Sequence, residues 1–290
     1  MLFLTVLLVP NCNPESAPLI RKRVSEVRLT LVATDRNDRP LPNLSPADIV
    51  VLEDGQPIPH FELRPAGDLP LRVGIVLDLS DSNQKSWGTV RNALLQSLQQ
   101  SMRADDELLV TAFNSRIELE RTVIDREQLQ AALAHPKTGG LTALYDTLYH
   151  VCDQAIFTSD QAPHRSALIL FSDGEDDLSL HDLSDAIAKA EVNGVAIYTV
   201  SAHNPKVWAA GDAVLHDLAV NTGGRDFAAK DTNQLQEALA AIDGELRASY
   251  LLYYRAPQDS GKRGFRRVYV LPAQGDGAHV RSRAGYFTAP

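Results

Sequence analysis

Three observations predict an α/β protein with a doubly wound, mostly parallel sheet, helices on both of its faces, and a small added β domain. The first is a pair of continuous apolar runs, Leu71-Arg72-Val73-Gly74-Ile75-Val76-Leu77 and Ala167-Leu168-Ile169-Leu170-Phe171-Ser172, each followed by an aspartate. Runs of this length read as parallel strands covered on both faces. The second is that between residues 69 and 249 such runs alternate with segments of helical period, the pattern of strands joined by crossover helices. The third is that both ends of the chain carry strand patterns separated by turns, with no helix of useful length. The expected organisation is a leader at 1–20, a β segment at 21–66, the α/β domain at 67–249 and a second β segment at 250–290 that packs with the first. Two independent decorations are the alternative arrangement of the β segments.

In order, residues 27–34 alternate polar and apolar, and 49–52 form a second strand closed by the hairpin signal Glu53-Asp54-Gly55. The returning strand is expected at 58–63. After the strand at 72–77, Trp87, Val90, Leu94, Leu98 and Met102 mark one face of a helix over 84–102. Strands follow at 108–113 and 117–119, then a helix at 126–134. A helix over 142–156 precedes the strand at 167–171, and a helix at 183–193 leads to the strand at 195–200. The helix at 212–221 is stopped by Gly223-Gly224. A strand at 226–228 and a helix at 233–246 close the series. Strands at 250–255, 265–271 and 280–287 complete the chain.

The chain has 290 residues, enough for a substantial core. Its net charge of −9, with no basic stripe interleaved with aromatics, excludes a nucleic-acid binder. Of two cysteines, Cys12 lies in the apolar leader and Cys152 on an apolar helix stripe beside Leu148, where it reads as a small core residue. There is no disulfide framework and no zinc spacing. Residues 1–9 are almost wholly apolar but too short to span a bilayer. They read as the tail of a secretory segment without its basic start, which predicts an exported protein with membrane association only through its N-terminus. A hydrophobic N-terminal strand of a cytosolic protein is the alternative. Trp208 is a candidate neighbour of the binding face, or an anchor for its own loop.

The chemistry gathers at the carboxyl ends of the two apolar strands. Asp78-Leu79-Ser80-Asp81-Ser82 follows the first, Asp173 follows the second, and Thr142 sits in Thr138-Gly139-Gly140-Leu141-Thr142. Open α/β sheets place their ligand crevices at such ends. Two carboxylates and three hydroxyls form an all-oxygen set suited to a hard divalent cation such as Mg²⁺. Each piece alone has a plainer reading. Asp78 could be a helix N-cap, Thr142 a cap for the helix that follows it, and Asp173-Gly174 a turn. Glu175, Asp176 and Asp177 read as a solvated loop outside the site.

Together these residues resemble the metal-ion-dependent adhesion site of the von Willebrand factor type A domain, whose pattern is Asp-x-Ser-x-Ser, a distant Thr and a distant Asp. All five positions are filled in order. The resemblance extends over nearly the whole chain to a bacterial family of related proteins with flanking β segments. Its motifs are matched by Asp48-Ile49-Val50-Val51-Leu52-Glu53-Asp54-Gly55 and by Arg281-Ser282-Arg283-Ala284-Gly285-Tyr286-Phe287. It implies that Ser80, Ser82 and Thr142 supply hydroxyl oxygens to Mg²⁺ or Mn²⁺, with Asp78 and Asp173 binding directly or through water. It implies a non-enzymatic adhesion or interaction module whose cation recognises an Asp or Glu carboxylate of a protein partner. Members of the family are usually exported.

The rival reading is a metal-dependent phosphoryl-transfer enzyme of the haloacid dehalogenase type, which also places an Asp after its first strand. Such enzymes need a second carboxylate two residues later as general acid/base. Here that position is Ser80. A serine hydrolase is disfavoured because no Gly-x-Ser-x-Gly elbow is present.

Overall fold

The computed structural model describes residues 26–101, 103–123, 125–134, 136–158, 163–202, 210–257, 264–274 and 277–288. The expected leader, Cys12, Met102 and Trp208 lie outside the described residues. The chain opens on β1 (Glu26–Thr34), β2 (Ile49–Glu53), β3 (Gln56–Pro57) and β4 (Phe61–Pro65). The α/β series follows as β5 (Leu71–Asp78), α1 (Trp87–Ser101), β6 (Glu107–Phe113), β7 (Ile117–Val123), α2 (Arg126–Ala132), α3 (Leu144–Cys152), α4 (Ala155–Thr158), β8 (Arg165–Phe171), α5 (Leu183–Asn193), β9 (Val195–Ser201), α6 (Ala210–Thr222), β10 (Asp226–Ala228) and α7 (Thr232–Arg247). The last strands are β11 (Tyr250–Arg255), β12 (Phe265–Pro272), β13 (His279–Ser282) and β14 (Gly285–Phe287).

The central sheet has six strands in the order β10-β9-β8-β5-β6-β7. All its pairings are parallel except β6 with the edge strand β7. Strand β5 pairs with β6 on one side and β8 on the other, so the winding reverses between β5 and β8. That is where an open α/β sheet leaves a crevice at its carboxyl edge. The register pairs Leu77 with Phe171, so Asp78 and Asp173 leave the sheet side by side.

Strands β5 and β8 are apolar throughout because helices cover both faces. On one face Val90 and Leu94 of α1, Leu129 of α2 and Leu239 and Ile242 of α7 pack on Ile75, Leu77 and Ile169. On the other, Leu148 and Cys152 of α3, Ala190 of α5 and Leu218 of α6 pack on Val76, Leu168 and Leu170. Each fully buried Leu or Ile contributes roughly 2 kcal/mol of apolar burial. Cys152 is the small core residue expected, with its thiol pushed up to about 12 by burial. Helix α5 carries a capping box between Asp182 and Asp185 and ends on Gly194 at φ 66°.

Two four-stranded antiparallel sheets, β13-β1-β11-β4 and β14-β12-β2-β3, combine strands from both ends of the chain. They enclose Leu29, Leu31, Val51, Leu252, Tyr254 and Val270. The β2–β3 hairpin turns through Asp54 at φ 47° and Gly55 at φ 80°, the pairing a tight primed turn requires. Among the described residues no helix is long and apolar enough to cross a membrane.

Several boundaries differ from expectation, and helix α1, expected from 84, starts at Trp87. The strand that returns against β2 is β3 at Gln56–Pro57, before the expected 58–63; the chain then passes Pro59, and β4 joins the other sheet, against β11. Strand β7 runs to Val123, beyond the expected 117–119. The expected helix at 142–156 starts at Leu144 and breaks at Asp153, giving α3 and α4. The strand at 280–287 divides into β13 and β14 in different sheets, because Ala284 N donates to Asn221 O (2.8 Å) between them.

Candidate functional site

Three loops converge at the carboxyl ends of β5 and β8. The first follows β5 and carries Asp78, Ser80 and Ser82. The second, residues 137–143, carries Thr142. The third follows β8 and carries Asp173. Asp81 N donates to Gly140 O (3.1 Å) and Gly139 N to Leu79 O (2.7 Å), which joins the first loop to the second. Gly139 has φ 108°, and a Cβ there would lie 3.1 Å from Asp81 Oδ1, so a side chain would disturb this junction.

The second loop is tied to the third by Thr142 N donating to Asp177 Oδ2 (3.0 Å). In return Asp177 N and Leu178 N donate to Thr142 O (2.9 and 3.0 Å). Leu144 N, at the start of α3, donates to Asp176 Oδ1 (2.7 Å). The acidic run is therefore not merely a solvated loop: Asp176 caps α3 from across the site. Thr142, expected to open its helix, is only 2% exposed and precedes the helix by two residues.

The Asp78 carboxylate is 6% exposed. Its Oδ1 accepts from Ser80 N (2.9 Å) and its Oδ2 from Ser172 Oγ (2.6 Å). Ser80 Oγ and Ser82 Oγ stand 3.2 Å apart. Both accept from Asn83 Nδ2 at 3.4 and 3.3 Å. Ser80 is buried, Asp173 half-buried and Ser82 exposed, so the set runs from the sheet edge outward. Burial pushes the Asp78 carboxyl above the usual range, against the pull of hydrogen bonds from Ser172 and Ser80; the charge of Asp173 pushes it the same way as burial. That effect of Asp173 on Asp78 marks the two carboxylates as electrostatic neighbours.

Asp78 makes no ion pair with any cationic side chain among the described residues. Nor is any group of three or more His, Cys, Asp or Glu side chains among the described residues placed to hold a metal. A cation at this edge would depend on hydroxyl oxygens, and the buried, uncompensated Asp78 charge beside two hydroxyls fits a hard divalent ion.

Sequence reading passed over Ser172, Asn83 and Asn114. Asn114 Nδ2 donates to Gly139 O (3.1 Å) while Ala143 N donates to Asn114 O (2.8 Å), so this one residue fixes both ends of the Thr142 loop. The signal was positional: Asn114 directly follows β6, at the same edge of the sheet as Asp78.

An α/β domain that gathers hydroxyl and carboxylate oxygens at the switch point of a parallel sheet defines a class of metal-site interaction folds. The model of the von Willebrand factor type A domain matches residues 73–241, and the chain belongs to this family. Among solved structures, proximal thread matrix protein 1 from the mussel byssus is similar at 13% identity and TM-score 0.50, over 76% of this chain and 50% of that one. The same mussel protein with a zinc-occupied MIDAS motif is similar at 14% identity and TM-score 0.52, over 66% of this chain and 49% of that one. The conserved hypothetical protein BatB from Bacteroides thetaiotaomicron is similar at 16% identity and TM-score 0.48, over 61% of this chain and 98% of that one. At these identities the likeness to the mussel protein is one of fold, and the chain spans about half the length of that protein. A comparison with curated proteins finds no match.

Proposed function

We propose that the chain is a metal-ion-dependent protein-binding module in which Asp78, Ser80, Ser82, Thr142 and Asp173 hold Mg²⁺ or Mn²⁺ and the ion recognises an Asp or Glu carboxylate of a protein partner. The observation that carries this reading is the buried Asp78 carboxylate, which has no cationic partner among the described residues and adjoins a pair of hydroxyls. When bound, the cation offers a coordination position to an anionic oxygen from outside. Three neutral hydroxyls leave it less neutralised than a carboxylate cage would, which favours an anion over water there. Ser172 and Ser80 N hold both oxygens of Asp78 in place, and Asp176 and Asp177 hold the loop of Thr142. That a mussel protein of this fold carries zinc in its MIDAS motif makes zinc the competing ion to test.

The reading is non-enzymatic: two residues after Asp78 stands Ser80, whose hydroxyl is no general acid. Export is part of the same proposal and rests on the apolar residues 1–9. Recovery of the intact chain from the cytosol alone would contradict it.

Peptides selected from a display library on the immobilised chain in Mg²⁺ test the function. Selected peptides are expected to share an Asp or Glu whose replacement by Asn or Gln abolishes binding. EDTA and Thr142→Ala are expected to abolish it as well. Peptides that bind equally in EDTA and without their acid would show that the site is not the binding surface.

A further inference from the structure

At the opposite edge of the central sheet, where β8 and β9 begin, the α/β layer meets β1 and the segment between β13 and β14. A cavity of about 320 Å³ lies at this junction. Arg28, Arg165, Arg283 and His164 line it, and among the described residues no Asp or Glu does. Val32 and Phe157 are among the side chains that give it an apolar wall. Strand β8 separates the two edges by seven residues, roughly 23 Å at strand rise, so this cavity is remote from Asp78 and Asp173.

Arg247 pairs with Asp106, Arg266 with Glu53, and Arg281 with Glu245. Arg28, Arg165 and Arg283 pair with no carboxylate among the described residues. Arg165 is 1% exposed. It donates only to backbone carbonyls, those of Leu246, Gly67 and Leu69. Arg283 likewise donates to the carbonyls of Glu191 and Arg28. The Nε of Arg165 and the Nε of Arg283 are buried without a hydrogen-bond partner among the described residues. Burial, together with the neighbouring Arg247, pulls Arg165 down to about 10. His164 Nε2 lies 3.2 Å from Arg72 Nη1, the guanidinium being the donor.

Glu191 lies near Arg283, and Asp106 near Arg165, but no carboxylate contacts either guanidinium directly among the described residues; an anion that enters the cavity would offset their buried charge further. The guanidinium fork matches the oxygens of carboxylate and phosphate groups. The cavity volume lies at the lower end of the range for small-molecule sites, so it suits a small ligand. We propose that this cavity is a second binding site, one for a small organic oxyanion whose carboxylate or phosphate group lies against Arg28, Arg165 and Arg283 and whose apolar part lies against Phe157 and Val32. Arg28 stands at the exposed side of the cavity and Arg165 at its buried side. The site is independent of the cation reading, since it shares no residue with it.

Calorimetry and thermal unfolding on the full chain test this in EDTA, so that no metal contributes. The probes are benzoate, phenyl phosphate and inorganic phosphate, with benzyl alcohol as the neutral control, all at matched ionic strength. Benzoate or phenyl phosphate is expected to bind and raise the melting temperature, inorganic phosphate to bind more weakly, and benzyl alcohol to do neither. Arg28→Gln, on an exposed strand position, is expected to weaken binding about tenfold or more. Arg283→Gln is expected to do the same, with circular dichroism checking that it folds. Asp78→Asn is expected to bind the anions as wild type does. Failure of all three anions to bind overturns the proposal, as does binding that is unchanged in both arginine variants or lost in Asp78→Asn.

Discussion

The two edges of the central sheet carry opposite buried charges, and they are held in opposite ways. At the carboxyl edge Asp78 accepts from one hydroxyl and one backbone N–H, and neutral hydroxyls stand beside it. At the amino edge Arg165 is bound to three backbone carbonyls that close the strand and helix ends around it. As an amide, residue 78 would lose its charge and keep one acceptor oxygen for Ser80 N, while its Nδ2 would donate to Ser172 Oγ in place of accepting from it. The guanidinium cannot be replaced without orphaning the carbonyls. Arg165 therefore serves the fold whatever else it binds, whereas the charge of Asp78 is a cost to the metal-free protein that the proposed cation would offset.

The largest expected effect tests that asymmetry. Arg165→Met should destabilise the chain by about 3 kcal/mol or more, since buried carbonyls lose their donors. Urea unfolding measures it, and a loss under about 1 kcal/mol would remove the structural role. Next, Gly174→Ala should cost about 2 kcal/mol. Gly174 has φ 82°, and its Cβ would lie 2.3 Å from Gly211 O, where the start of α6 meets the Asp173 turn. A neutral result would mean that this approach can relax.

A smaller effect depends on pH. Burial pushes the Glu191 carboxyl up to about 7, against the opposing charge of Arg283. Its folded-state value lies above the unfolded one, so the stability it allows is complete below the unfolded value near 4.5 and is lost as pH rises through about 7. Glu191→Gln should therefore stabilise the protein by about 1–2 kcal/mol near pH 8 and by little near pH 4. Equal effects at both values would contradict a titrating Glu191. Smallest is Asp78→Asn, which in EDTA at neutral pH should be neutral or stabilising by about 1 kcal/mol. A loss as large as that of Arg165→Met would erase the difference between the two edges.

Much of this was legible in sequence, because parallel strands covered on both faces leave continuous apolar runs. The register of Leu77 with Phe171 then brings Asp78 and Asp173 to one edge. What escaped was nonlocal. The start of α3 was misplaced because Ala143 offers no side-chain cap and the cap comes from Asp176, 32 residues away from Leu144. Capping signals in sequence are local, so a cap supplied across a site leaves none. For the same reason the acidic run read as solvent-facing. The division of 280–287 also has a distant cause: at Gly223 a Cβ would lie 2.6 Å from Arg283 N, so the chain there presses on the end of α6 and leaves its sheet. The arginine cavity left no sequence signal, since its arginines come from β1, the start of β8 and the segment between β13 and β14.

The central claim is that Asp78 and the hydroxyls beside it hold a divalent cation, and calorimetric titration of Mg²⁺ and Mn²⁺ tests it most directly. Wild type is expected to show one saturable site. That site should vanish in Asp78→Asn and weaken about tenfold or more in Thr142→Ala, with both variants folded by circular dichroism. Equal binding by wild type and Asp78→Asn would contradict the claim.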